Sequence, residues 1–287
     1  MREDRVPVCS SWDTVRCVPD KYFDVNGIAT LVHHRGETTL PGLAPPLFIG
    51  RPILLLHDAG TTGNSFSSLM NILSEQHSPF SLDLPGHGRS GSLDSLQTVE
   101  EMAAHVATMM AEWEFDSLAV VGEGLGAAVG LELARNPSSG IEHLICLGAV
   151  GRTLDLSPEI EQLTLITTGK ARRQFDASGY KPEPDQMIMK QAFAEWVKTD
   201  PRATLGARRA QEQWNRSTSL EGLDCPTLVV VGEHTESAFD IAANELIAEL
   251  SSAERADLPE AGRRGAIETP EAVANLIDRF THSGVNS

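Results

Sequence analysis

From Ile53 onward, short apolar runs alternate with helix-forming segments, and that alternation leaves few folds open. Ile53–Leu56, Phe80–Leu84, Leu118–Val121, Ile141–Leu147 and Pro226–Val231 read as buried strands, with a short strand near Arg255–Leu258. Ser65–Glu75, Val99–Trp113, Ala127–Arg135, Asp240–Glu249 and Pro270–His282 read as helices. Strands made of unbroken apolar runs are covered on both faces, and right-handed crossovers between them build a parallel sheet. Tyr22–His33 adds a hairpin, because Asn26-Gly27 suits a two-residue turn between β-prone segments. The stretch from Gly36 to Pro52, rich in Pro and Gly, reads as surface loop. The fold class is therefore α/β, a mostly parallel, doubly wound sheet with helices on both faces.

The alternation breaks after Gly151. From Leu156 to Arg216 the chain reads as helical, with no strand pattern, before strand grammar returns at Pro226. We expect residues 1–150 and 218–287 to form the core and 151–217 a helical lid inserted into it.

A chain of 287 residues, 41% of them hydrophobic, can bury one large core. Its formal net charge of -17 repels nucleic-acid phosphates and anionic lipid headgroups, which argues against either as a partner. The four cysteines, Cys9, Cys17, Cys146 and Cys225, show no metal-type spacing with histidine. Met1–Arg5 leads into no apolar signal core, and no run approaches transmembrane length. The expectation is a soluble protein of the reducing cytoplasm, without metal or cofactor. The sequence leaves its oligomeric state open.

The segment Val120-Val121-Gly122-Glu123-Gly124-Leu125-Gly126 reads as strand, sharp turn and helix. It has the outline of the G-x-S-x-G elbow, in which a strained turn presents a serine. Here the centre is Gly124, which has no side chain to attack anything. Three further segments fall in order around it: Leu55-Leu56-His57-Asp58, Asp83-Leu84-Pro85-Gly86-His87-Gly88-Arg89-Ser90, and Pro226 to Glu233. Together they resemble the loop after the third strand, the D-x-P-G-x-G-x-S segment and the acid-bearing strand of the α/β-hydrolase superfamily. The likeness runs from about Tyr22 to Phe280 and implies the α/β-hydrolase fold.

The resemblance also implies a Ser, Asp/Glu, His triad, and the matching positions hold Gly124, Thr235 and Arg263. Glu236, one residue beyond Thr235, is a substitute acid if that loop is remodelled. With all three roles vacant, hydrolysis by a serine triad is not expected, because each member depends on the others. The backbone N–H groups of Ala59 and Leu125 remain candidate oxyanion donors. Their alternative role is to cap the helix or hold water.

Glu123, at the end of a central strand, is a candidate acid or base whose pKa burial would raise; its alternative is a structural ion pair. His234 is a second candidate base. Asp58 and Arg263 are expected to pair across the vacant site, or Arg263 to bind a ligand carboxylate or carbonyl. Phe193, Trp196 and Trp214, with Met187 and Met189, are candidates to line a pocket under the lid, although core packing between lid helices and sheet explains the aromatic residues better. These readings favour an enzyme that uses the pocket without a cofactor for non-hydrolytic chemistry (lyase, elimination or cyclisation) on a medium-sized apolar metabolite. The alternatives are a non-catalytic protein binding a small ligand or a protein partner, and an atypical hydrolase using Glu123, His234 or substrate assistance.

Overall fold

The computed structural model describes residues 20–283 apart from 38, 41, 47, 48, 114, 116 and 149. Cys9, Cys17 and Met1–Arg5 lie outside the described residues. The described residues begin with a hairpin, β1 (Asp20–Val25) and β2 (Ile28–His34), turned at Asn26-Gly27. Both turn residues have positive φ, 53° and 81°, as the tight hairpin turn requires. Then follow β3 (Pro52–Leu56), α1 (Ser67–Leu73), β4 (Ser78–Leu82), α2 (Val99–Glu112), β5 (Leu118–Glu123), α3 (Leu125–Ala134) and β6 (Ile141–Leu147). Three helices come next, α4 (Ser157–Thr167), α5 (Gln186–Val197) and α6 (Pro201–Ser217). The sheet resumes with β7 (Thr227–Gly232), followed by α7 (Ser237–Glu249), β8 (Ala253–Leu258), the single turn α8 (Gly265–Glu268) and α9 (Pro270–Ser283).

The eight strands form one sheet in the order β1-β2-β4-β3-β5-β6-β7-β8. β1, β2 and β4 pair antiparallel, and every pairing from β4 to β8 by way of β3 is parallel. Alternate residues of the central strands feed two separate cores. Leu54, Leu56, Val120, Val229 and Val231 enter the core on one face. Ile53, Leu55, Val121, Leu228 and Val230 enter the core on the other. Burial on both faces is what the unbroken apolar runs require.

Strand order reverses between β3 and β5, and such a crevice beyond the carboxyl ends of the strands is where open α/β sheets place their sites. Leu56 pairs with Gly122, so Asp58 and Gly124, each two residues further on, come out side by side. No helix among the described residues is long and apolar enough to cross a membrane.

Candidate active site

The turn from β5 to α3 has the elbow's shape. Gly124 has φ 52° and ψ −111°, a conformation that strains any residue with a side chain. Its neighbours must also be glycine for space: a β-carbon on Gly126 would drive into the Leu56 carbonyl. What distinguishes the site is the occupant of the position where a nucleophile would stand. A β-carbon on Gly124 would lie 2.5 Å from Asp58 Cγ and nearer still to Oδ1. The Asp58 carboxylate fills the space that a side chain at residue 124 would take.

That carboxylate is fully engaged. Leu125 N–H donates to Oδ1 at 2.9 Å, so the donor expected to meet an oxyanion already holds one inside the protein. Arg208, from α6, donates to Oδ1 at 2.7 Å and to Oδ2 at 2.8 Å, a bidentate grip. Arg264 pairs with Oδ2 at 2.9 Å. Burial alone would push the Asp58 carboxyl up, but the Arg208 and Arg264 charges outweigh it and hold the carboxyl well below the usual range. Oδ1 accepts from two donors, and Oδ2 accepts from Arg208 while pairing with Arg264, so both oxygens are engaged inside the protein.

The pair expected between Asp58 and Arg263 does not form. Arg263 donates its backbone N–H to Gly179 O at 2.8 Å, and its guanidinium turns toward α7. There it holds Glu236 at 2.8 and 3.1 Å and stacks over the Phe239 ring, 3.9 Å from the centroid. The next residue, Arg264, points to the elbow instead. Glu236, and not Thr235, is the acid that meets the residue at the histidine position.

Glu123 is 5% exposed. Its Oε2 accepts from Arg264 at 3.3 Å, while Oε1 is buried with no partner among the described residues. Burial pushes this carboxyl up to about 7, with Arg264 pulling against it and Asp58 adding to it. It faces a void of about 20 Å³ that it shares with Asp58, Gly124, Leu154, Arg208 and Arg264. That space suffices for one water and no more.

Beside the void lies a cavity of about 380 Å³ between the inserted helices and the sheet. Ala59, Phe175, Tyr180, Trp196, Arg208 and Arg264 are on its wall. Arg208, Arg263, Arg264 and Glu159 border both spaces and so form the partition between them. Ala59 and Trp196 both border this cavity. The other sequence candidates are elsewhere. His234 is exposed and borders neither space, which places it out of reach as a base. Trp214 is buried on the far side of α6, donating to Glu132 at 2.9 Å and bordering a separate groove. Met187 projects into solvent and Met189 is half-buried. Phe193 supports the wall from outside, with its ring 5.7 Å from Phe175 and 5.5 Å from Trp196.

The two loop histidines serve as supports. His57 Nδ1–H donates to Asp58 O at 2.8 Å and its Nε2 accepts from Leu84 N–H at 2.9 Å, which fixes a neutral ring and holds Asp58's backbone. Burial holds the His87 ring down at about 3. Among the described residues no three His, Cys, Asp or Glu side chains converge as a metal site requires. Arg208, Arg264, Tyr180 and Phe175 were not singled out from the sequence. The one available signal was Arg208 itself, an arginine set in the stripe Ala203, Ala207, Ala210 and Trp214 that buries one side of α6.

This sheet, elbow and crevice define a class, and comparison with known proteins agrees. Residues 53–276 match the family model described as the alpha/beta hydrolase family, and the chain belongs to that family. A curated relative is 2-hydroxy-6-oxo-6-(2'-aminophenyl)hexa-2,4-dienoic acid hydrolase of Metapseudomonas resinovorans, 23% identical over 80% of this chain and 84% of that one. The structure is similar to a thermophilic esterase from Thermogutta terrifontis, with a TM-score of 0.74, 19% identity and 92% and 98% of the two chains covered. It is also similar to an alpha/beta hydrolase fold protein from Chitinophaga pinensis, with a TM-score of 0.70, 16% identity and 93% and 98% covered.

Proposed function

We propose that this chain is a non-hydrolytic member of its family that binds a medium-sized, largely apolar small molecule under a lid formed by residues 151–217. The observation that carries this reading is the Asp58 carboxylate standing in the nucleophile's place, clamped by Arg208, Arg264 and the Leu125 N–H. A site whose attacking position and oxyanion donor are both taken up internally has no route to an acyl intermediate. The adjacent cavity, at about 380 Å³, is within the range of small-molecule sites, and its aromatic wall suits an apolar ligand. We place this binding activity in the cytoplasm, with no nucleic acid or membrane partner.

The test pairs two assays on the purified protein. A panel of activated esters of increasing chain length should show no turnover above background. A small-molecule library screened by thermal shift should return stabilising apolar compounds that Trp196→Ala loses. Ester turnover abolished by Asp58→Asn or Glu123→Gln would contradict the reading.

A second reading, non-hydrolytic catalysis such as lyase, elimination or cyclisation chemistry, is favoured by Glu123. An unpaired carboxyl oxygen on a group titrating near neutrality is suited to proton transfer. It requires the Arg264 partition to move, since Glu123 faces the small void and not the cavity. Loss of turnover in Glu123→Gln, once a ligand is known, distinguishes it from binding alone. The atypical hydrolase reading draws on Glu123 and on the relatives' names, and His234's exposed position weakens it.

A further inference from the structure

The cations on the cavity wall, Arg208, Arg263 and Arg264, outnumber its acids, Glu159 and Asp176. Asp58 spends both oxygens on Arg208, Arg264 and Leu125. Arg208 is also spent, on Asp58, Glu159 and Gln211. Among the described residues Arg264 engages its partners through Nη1 alone, which leaves its Nε and Nη2 hydrogens. The Tyr180 hydroxyl forms no hydrogen bond among the described residues, and burial pushes the phenol up to about 12, so it remains a donor. The buried Arg208 and the partly buried Arg264 guanidiniums share one ionised carboxylate, Asp58, whenever Glu123 is protonated. Glu159 and Asp176, the acids on the cavity wall itself, are exposed, and water screens them.

Tyr180 is also held in place. The backbone at Gly179–Lys181 lies against Gly262 so closely that a β-carbon there would come 2.6 Å from Gly179 O. Arg263 N–H donates to Gly179 O, and the Glu268 carboxylate accepts from Gly262 N–H at 2.9 Å and Lys181 N–H at 2.7 Å. One strap therefore ties the segment bearing Tyr180 to the loop bearing Arg264, which is the preorganisation a recognition site needs.

We propose that the cavity reads an anionic oxygen head, held between the Tyr180 hydroxyl and the unshared N–H groups of Arg264, with the ligand's apolar body along Phe175 and Trp196. This rests on the reading of the cavity as a ligand site and assigns the ligand's class: an amphipathic anion, carboxylate or sulfonate. Two dyes differing chiefly in the head test it. Fluorescence titration should find anilinonaphthalene sulfonate binding at least about tenfold tighter than neutral phenylnaphthylamine. Tyr180→Phe, which keeps the ring, should weaken the sulfonate dye by about tenfold and leave the neutral dye unchanged. Phe175→Ala should weaken both alike. Equal affinity for the two dyes, with neither moved by Tyr180→Phe, would overturn the head subsite while leaving the pocket standing. Binding of neither dye would overturn the pocket and this subsite with it.

Discussion

At the elbow, two substitutions that look independent in the sequence make one physical statement. A β-carbon at residue 124 and the Asp58 carboxylate cannot occupy the same space, and φ 52° already disfavours a side chain there. Gly124→Ala is therefore expected to cost about 3 kcal/mol of stability, read from denaturant midpoints. Gly124→Ser should cost at least as much and produce no esterase activity, since Arg263 is committed to Glu236 and no imidazole faces the site. Asp58→Ala should cost about 3–5 kcal/mol, because it takes a shared carboxylate from the buried Arg208 and the partly buried Arg264. The sequence showed each residue at its motif position but not their meeting. Motif order places Asp58 near the elbow, whereas its partners come from α6 and from the residue after Arg263, and side-chain choice among neighbouring arginines depends on loop geometry. That is why Arg263 was the expected partner and Arg264 the actual one.

The inserted helices are fastened to the sheet by buried charge as well as apolar contact. Arg208 of α6 reaches Asp58, and Glu195 of α5 accepts from Thr62 Oγ1 at 2.6 Å and Asn64 Nδ2 at 2.7 Å, with Lys198 at 2.6 Å. Glu195 is 3% exposed, so removing its carboxylate strands these donors. Glu195→Ala should raise amide hydrogen exchange in α5 by about tenfold or more while leaving β5 and β6 protected. Exchange rising equally across the sheet would show that the helices do not open separately. At this scale the sequence was a good guide. β6 runs over Ile141–Leu147 as its pattern predicts, and the other strands and helices lie within a few residues of their expected bounds. Departures follow local chemistry. The first turn expected in α1 is a tighter helix over Gly63–Phe66, capped by Thr62, and the short α8 carried no apolar periodicity by which to find it. α6 was legible as a helix but not as a site element, because an arginine in an apolar stripe announces a buried partner without naming it.

The stability of the whole molecule records these buried groups through pH. Glu123 titrates near 7 in the folded protein against 4.5 ordinarily, so the folded state holds its proton more firmly. Its contribution is fully present below about pH 4.5 and is lost as pH rises toward 7, by up to about 3 kcal/mol. Buried histidines act in the opposite sense. His34 and His87, held down to about 4 and about 3 by burial, favour the folded state above pH 6.5 and lose that advantage on acidification. Glu123 is therefore seen best as a difference: Glu123→Gln should gain on the wild type between pH 5 and pH 8 in urea unfolding. A constant difference across that range would mean that Glu123 is ionised throughout. The most direct test of the central claim, that Asp58 fills the place of the nucleophile, is a double-mutant cycle on global unfolding. Gly124→Ala should cost about 3 kcal/mol with Asp58 present and about 1 kcal/mol, the backbone strain alone, in an Asp58→Gly background. The same cost in both backgrounds would contradict the account, since the two residues would then not compete for one space.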